Sequence, residues 1–546
     1  MLLPRGDTYA DLYRDFRWRV PQRFNIGTAI SDAWASREPD RTALILHRSE
    51  GEPLSLSYGE FARRSSAFAS GLARNGVRRG DRVALLLPQG FEVAIAHAAI
   101  YKLGAIAVPL ALLFGVEALE YRLHAAGVRA VVTNASGLEK LKRIEARLPE
   151  LEAIVCTDGA DAGALAFGEL SSRPDPDFAP ADTLTDDPAL MIFTSGTTGP
   201  PKGALHGHRV LIGHVPGVQM PHEFLPLPGD ILWTPADWAW AGGLLNVLLP
   251  GLLLGVPVVA SAGEKFDPEA ALGIVERHGV RNAFIPPTAL RMLRAVAGIR
   301  DRFRLDLRTV GSGGEALGRE TLEWGTAELG LTINEFYGQT ECNLVLASCA
   351  ALGVSRAGAI GLPVPGHRVA VIDDAGRELP AGETGQIAIA RPDPVMFLQY
   401  WNNPEATKKK FVGDWMTTGD QGTADDDGYV FFFGRDDDVI TSSGYRIGPG
   451  EIEDCLTGHP AVSLAAAVGK PDSLRTEIVK AYVVLREGYE GSDALSAEIR
   501  DWVRTRLSAH EYPREVEFVG SMPLTTTGKV IRRIFRDRAK AEANEA

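Results

Sequence analysis

The sequence predicts an α/β protein: a large N-terminal body of several subdomains with helix-covered sheets, followed by a small α+β C-terminal domain. Three observations carry that expectation. Short apolar segments alternate with amphipathic ones through the first half of the chain, a strand-like segment stops at consecutive charges near residue 435, and a compact strand and helix pattern of about a hundred residues follows. At 546 residues the chain exceeds one compact core, and its 45% hydrophobic and 23% charged residues describe a globular protein.

Taken in order, residues 58–75 and 92–103 have helical periodicity, and residues 82–87, 130–133 and 153–157 read as short buried strands between helices. The stretch 171–188 is rich in Pro, Asp and Ser, so it reads as a surface connection into the apolar strand 189–193. Residues 238–263 carry no charge and by length alone match a bilayer span. Pro250, Pro257, Asn246 and several glycines interrupt them, so a buried helix, turn and strand is expected instead. Later, 429–433 reads as a strand ending at Gly434, and Arg435-Asp436-Asp437-Asp438 breaks the pattern. A boundary there divides the chain into 1–436 and 437–546. Strands at 463–468, 478–485 and 516–519 and a helix at 495–508 make up the second part.

The balance of 57 basic and 70 acidic residues, formally −13, argues against a general nucleic-acid or anionic-membrane surface. Cys156, Cys342, Cys349 and Cys455 are scattered, without the pairing of a zinc site or disulfide framework, and suit a reducing, cytoplasmic setting. The charged first twenty residues lack a signal-peptide core.

Chemistry is concentrated after strand 189–193. Thr194, Ser195, Gly196, Thr197, Thr198, Gly199, Pro200, Pro201, Lys202 and Gly203 combine glycines that let backbone N–H groups turn inward, hydroxyl donors and one cation, which suits a phosphate cradle. The spacing is not that of a Walker A loop, since only two residues separate Gly196 from Gly199 and Gly203 follows Lys202. A hydroxyl-rich surface turn is the alternative. His206 and His208 lack a third ligand at suitable spacing, so a structural role is expected for both. There is no GxSxG or HExxH segment to support a hydrolase.

Farther along stand Asn334-Glu335-Phe336-Tyr337-Gly338-Gln339-Thr340-Glu341, Thr418-Gly419-Asp420, Gly434 to Asp438 with Gly444-Tyr445-Arg446, and Pro523-Leu524-Thr525-Thr526-Thr527-Gly528-Lys529. An aromatic ring at Tyr337 can stack on a purine, Gly338 permits close backbone approach, Thr340 can donate to phosphate, and Glu341 can hold Mg²⁺. A carboxylate at Asp420 can accept from two vicinal hydroxyls, or it can simply cap a turn. With the decapeptide, these segments closely resemble, in order, the motifs of the adenylate-forming superfamily of acyl-CoA synthetases, luciferases and nonribosomal adenylation domains, from about residue 54 to Lys529. The wording is nearest the short- and medium-chain acyl-CoA synthetases.

The resemblance implies ATP, Mg²⁺ and coenzyme A as cofactors and a small carboxylic acid as substrate. It also implies an adenine-binding turn at Gly314, Glu315 and Ala316, where the family more often has proline at the third position. Gln339 joins the nucleotide contacts, Arg435 serves the ribose and Arg446 the phosphates. Lys529 is implied as the catalytic cation, with Thr340 and Glu341, on a mobile C-terminal domain that hinges at Asp437 and brings Gly444 to line a thiol tunnel. Trp238 and Trp240 resemble the acyl-pocket wall, and Gly338 stands where acetate-specific relatives carry tryptophan. Lys529 also resembles the site at which a lysine acetyltransferase silences bacterial relatives. Of Arg532, Arg533 and Arg536, a solvated helix face is the plainer reading and contact with CoA phosphates the sharper one. Alternatives are an aryl-CoA ligase, a standalone enzyme loading a carrier protein, a luciferase-like oxygenase and a silent nucleotide-binding scaffold. Monomer and homodimer are both open.

Overall fold

The computed structural model describes residues 2–545 except 5, 7, 161–162, 195–199, 264, 436–437, 443–444, 473–474, 508–510 and 525–529; for 445, 446, 451, 544 and 545 it describes the backbone alone. Among the described residues the body holds three sheets. One has eight strands in the order Gln399–Tyr400, Lys202–Gly207, Pro188–Thr194, Ile106–Pro109, Arg82–Leu86, Val128–Thr133, Ala153–Cys156 and Leu165–Ala166. Its centre is parallel, with Ala107 opposite Leu190 and Val83 opposite Ala107 and Ala130, which is what buried Val, Ala and Leu runs joined by helices produce.

The helices between these strands follow from local signals. Tyr58–Arg74 starts where the Ser57 hydroxyl accepts from Glu60 N at 3.3 Å, and Tyr58, Phe61, Phe68 and Leu72 lie on its buried face. Phe91–Lys102 is buried at every residue but Glu92, down to the Lys102 ammonium, which Asp32 meets at 2.7 Å and the Ser65 and Ser66 hydroxyls at 2.9 Å. A buried ammonium persists only with such partners.

A second sheet of nine strands carries Ile333–Tyr337 parallel to Thr309–Gly313, with Asn282–Phe284, Leu232–Trp233, Val258–Ala260 and Thr42–Leu46 beyond. Residues 238–263 fold inside the body as the helix Ala241–Gly243, a π-helical turn Leu244–Leu248, the helix Leu249–Leu254, a left-handed Gly255 with φ 72° and the strand Val258–Ala260. Among the described residues no helix is long and apolar enough to cross a membrane. In the third sheet Trp415–Ala424 pairs with Gly385–Ala390 and with Val430–Arg435.

The last strand runs two residues beyond the 429–433 expected from sequence. Arg435 stays in the ladder opposite Asp420, so backbone pairing outweighs the charge run that suggested an end at Gly434. From Ile440 onward the chain builds its own sheet. Val462–Asp472 and Thr476–Leu485 form a long antiparallel ribbon joined by Ile440–Ser442, Tyr445–Ile447 and Glu515–Phe518, under the helices Pro449–Thr457, Asp493–Arg506 and Arg532–Glu545. Ile452, Leu456, Val479, Val483, Ile499 and Val503 form its core.

Candidate active site

The phosphate-binding candidate is flanked by an antiparallel strand pair, in which Thr194, last residue of its strand, is the register partner of Lys202, first residue of the next. Ser195, Gly196, Thr197 and Thr198 themselves lie outside the described residues. Lys202 Nζ sits 5.2 Å from the centre of the Tyr400 ring.

A second group leaves the end of Ile333–Tyr337. The Tyr337 hydroxyl donates to Asp420 Oδ2 at 2.5 Å and Gln339 Nε2 donates to the same oxygen at 2.7 Å. Asp420 is buried, and burial raises its pKa against the opposing pull of Arg435, whose Nε lies 3.9 Å from Oδ1. Burial, then the Asp420 charge, pushes the Tyr337 phenol well above its ordinary value, keeping it a donor. Lys410 Nζ adds a cation 3.2 Å from Gln339 Oε1. One carboxylate, one guanidinium and one aromatic face thus converge where two sheets meet, an arrangement suited to a sugar hydroxyl pair beside a flat base.

Thr340 lies in the following turn, against the buried His206 ring. Glu341 is also buried; it accepts a short hydrogen bond from the Tyr400 hydroxyl, and its carbonyl accepts from Phe397 N at 2.8 Å. Among the described residues no three His, Cys, Asp or Glu side chains group as a metal cage. A lone buried carboxylate fits Mg²⁺, which takes one or two protein oxygens and completes its shell with phosphates and water. His206 and His208 are both buried, and Ile26 N donates to His208 Nδ1 at 3.1 Å, so they serve the interior.

Gly338 has its reason in packing. A Cβ there would stand 2.1 Å from Leu344 N, because the chain folds straight back on itself. Gly314 takes φ 96° in the turn after Thr309–Gly313. Glu315 is held by Thr288 at 2.9 Å and Arg291 at 2.6 Å, leaving Gly314 and Ala316 as the exposed part of that turn. Trp238 is buried, whereas Trp240 is half-buried with its ring 5.6 Å from Phe114 in an edge contact. His214, Asn246 and Asn343 form a buried polar cluster, with His214 Nε2 and Asn246 Oδ1 2.8 Å apart.

Sequence reasoning missed Tyr400, Lys410 and this cluster. Each enters the site through pairing between segments far apart in the chain, and only the apolar-stretch asparagine at 246 carried a local signal. Lys529, Asp437, Gly444 and the Arg446 side chain lie outside the described residues; the Arg446 backbone pairs with Thr441.

Residues 31–401 match the AMP-binding enzyme family and residues 451–529 match the AMP-binding enzyme C-terminal domain. The chain belongs to the AMP-binding enzyme family. Acetyl-coenzyme A synthetase of Bacillus subtilis (strain 168) is 34% identical, covering 97% of this chain and 94% of its own. Mitochondrial acyl-coenzyme A synthetase ACSM4 of Homo sapiens is 33% identical over 95% of this chain and 91% of its own. Among solved structures, the anthranilate CoA ligase AuaEII in complex with anthranoyl-AMP superposes with a TM-score of 0.88 at 28% identity, covering 96% of this chain and 99% of that one. This member is an AMP-forming acyl-CoA synthetase, a ligase that uses ATP, Mg²⁺ and coenzyme A.

Proposed function

We propose that the chain joins a short- or medium-chain aliphatic carboxylic acid to AMP and then to coenzyme A, with residues 1–436 binding ATP and acid and residues 437–546 turning between the steps. The convergence of Tyr337, Gln339 and Arg435 on the buried Asp420 carries the reading, because such a set suits the ribose hydroxyls and base of a nucleoside.

In the first step the acid's carboxylate attacks the α-phosphorus of ATP, a P–O bond forms and pyrophosphate leaves. Asp420 accepts from the ribose hydroxyls, Arg435 steadies that carboxylate, and Tyr337 stacks on the base with the Gly314 to Ala316 turn at its edge. Thr194, Ser195, Gly196, Thr197, Thr198, Lys202, Thr340 and Arg446 receive phosphate oxygens. Glu341 would hold Mg²⁺, which when bound would neutralise charge on the departing pyrophosphate. Lys529 brings a cation to the carboxylate and α-phosphate where repulsion is greatest. In the second step the thiol attacks the acyl carbonyl and AMP leaves. Rotation at Asp437 withdraws Lys529 and sets Gly444 against the entering thiol arm.

Trp238 and Trp240 close the acyl pocket, and the acetyl- and acyl-coenzyme A synthetases among the relatives support an aliphatic acid. The likeness to the anthranilate ligase favours an aromatic acid as the second reading. Four free cysteines, three of them buried, support a cytoplasmic setting, and acetylation of Lys529 by a lysine acetyltransferase would remove the cation. The protein works as a monomer or homodimer.

A screen of pyrophosphate release over fatty acids of graded length, with benzoate and anthranilate, with and without CoA, tests the reading. Aliphatic acids should give acid-dependent release and CoA-dependent thioester. A preference for benzoate or anthranilate would move the assignment to an aryl-CoA ligase, and failure of every acid to yield a mixed anhydride would end it. Lys529→Ala should abolish pyrophosphate release yet convert supplied acyl-AMP, and Gly444→Leu should show the reverse. Equal loss of both half-reactions in Lys529→Ala contradicts the two-state picture.

A further inference from the structure

Residues 397–401 connect the two anion-handling parts of the site. Phe397 N donates to the Glu341 carbonyl at 2.8 Å, and Trp401 N donates to the Gly203 carbonyl at 2.7 Å, so this segment is clamped at one end to the 337–341 turn and at the other to the residue after Lys202. Between the clamps Tyr400 pairs with Ala204 in the sheet. Its side chain is 5% exposed, its hydroxyl donates to Glu341 Oε1, and the Lys202 ammonium lies 5.2 Å from its ring centre. Phe397 braces the same ring edge-on at 4.9 Å.

We propose that Tyr400 is a positioning residue that fixes the geometry between cation and carboxylate: its hydroxyl holds one oxygen of Glu341 so that the other faces the metal, and its ring seats Lys202 for phosphate. This rests on the nucleotide site proposed above. A phenol donating to a carboxylate removes one rotational choice from a side chain that otherwise has several, and a hydrogen bond to a charged acceptor is stronger than one between neutral groups. The ring face holds an ammonium without neutralising it, so Lys202 remains free to meet an anion.

The hydroxyl and the ring separate by mutation. Binding of a non-hydrolysable ATP analogue is measured by calorimetry with Mg²⁺ and with EDTA, for wild type, Tyr400→Phe, Tyr400→Leu, Glu341→Gln and the Tyr400→Phe/Glu341→Gln double variant. Tyr400→Phe should lose about tenfold of the Mg²⁺-dependent gain in affinity, keep the metal-free affinity within about twofold, and still convert supplied acyl-AMP with CoA. Tyr400→Leu should also weaken metal-free binding. The double variant should be no weaker with Mg²⁺ than Glu341→Gln alone. Equal losses with and without Mg²⁺ in Tyr400→Phe, or fully additive effects in the double variant, would overturn the proposal. A wild type that does not bind the analogue would instead remove the nucleotide site on which it rests.

Discussion

Asp420 shows how one buried side chain sets the chemistry around it. A carboxylate deprived of water is held by a phenol, an amide and a nearby guanidinium, and in the proposed function it exchanges part of that set for ribose hydroxyls. Replacing it with Asn keeps the shape and removes the charge. The Asp420→Asn enzyme should keep its melting temperature within a few degrees while its KM for ATP rises about tenfold to a hundredfold, checked by steady-state kinetics of pyrophosphate release. Glu335, which accepts from Leu317 N at 3.1 Å, gives a different signature. Burial pushes its pKa up to about 7, with the Asp454 charge adding to the rise. The folded state therefore binds the proton more tightly than the unfolded chain, whose glutamate titrates near its ordinary 4.5. Its stabilising contribution is complete below about pH 4.5 and is lost as pH rises through about 7. Glu335→Gln should flatten the fall in melting temperature between pH 5 and 8, by an amount equivalent to about 1–3 kcal/mol. An unchanged slope would refute that assignment.

Among secondary-structure elements, close backbone approach places the motifs. The parallel strands Thr309–Gly313 and Ile333–Tyr337 pair Gly313 with Phe336, whose ring and carbonyl occupy the space a Cβ on Gly313 would need, at 2.5 Å. The return at Gly338 is tighter still. Gly338→Ala should lower stability by about 1–3 kcal/mol through overpacking and should impair adenylation more than it impairs folding, read by thermal melting beside pyrophosphate release. Ser57→Ala is the contrasting case. It removes an N-cap on a helix away from the site and should cost about 1 kcal/mol with no change in KM for ATP. The π-helical turn Leu244–Leu248 belongs to the same scale, since its wider winding turns Asn246 toward His214 and Asn343 within an otherwise apolar wall.

At the scale of the whole molecule, the C-terminal sheet and its helices meet the preceding sheets through close side-chain contacts. The helix Pro449–Thr457 meets the turn after Gly314, where a Cβ on Gly318 would stand 2.1 Å from Asp454 Oδ1 and one on Gly458 2.2 Å from Glu320 Oε1. Burial, then Glu320, raises the Asp454 pKa there. Two arginines of the C-terminal basic run face inward. Arg532 Nε donates to Glu453 at 2.7 Å, and Arg536 reaches Asp438 at 2.6 Å. They tie the last helix to the charge run beside the proposed hinge instead of forming a solvated face. Arg536→Ala should loosen residues near 436–444, seen as several-fold faster limited proteolysis there and as a changed ratio of adenylation to thioester formation. An unchanged cleavage rate would show that the pair does not restrain the hinge.

The sequence alone determined whatever depends on near neighbours: the alternating strands and helices of the body, the segment of glycines and hydroxyls after residue 194, the order of the motifs and the family they identify. Periodicity and turn chemistry act over a few residues, so those features are written locally. Tertiary structure decided which distant groups meet. Only folding brings Tyr400 between Lys202 and Glu341, sets Tyr337 and Gln339 on one oxygen of Asp420, and keeps Arg435 in the ladder that the charge run was expected to end. Such contacts come from strand register and burial, which no window of sequence contains, and the same burial sets the proton affinities on which the chemistry depends.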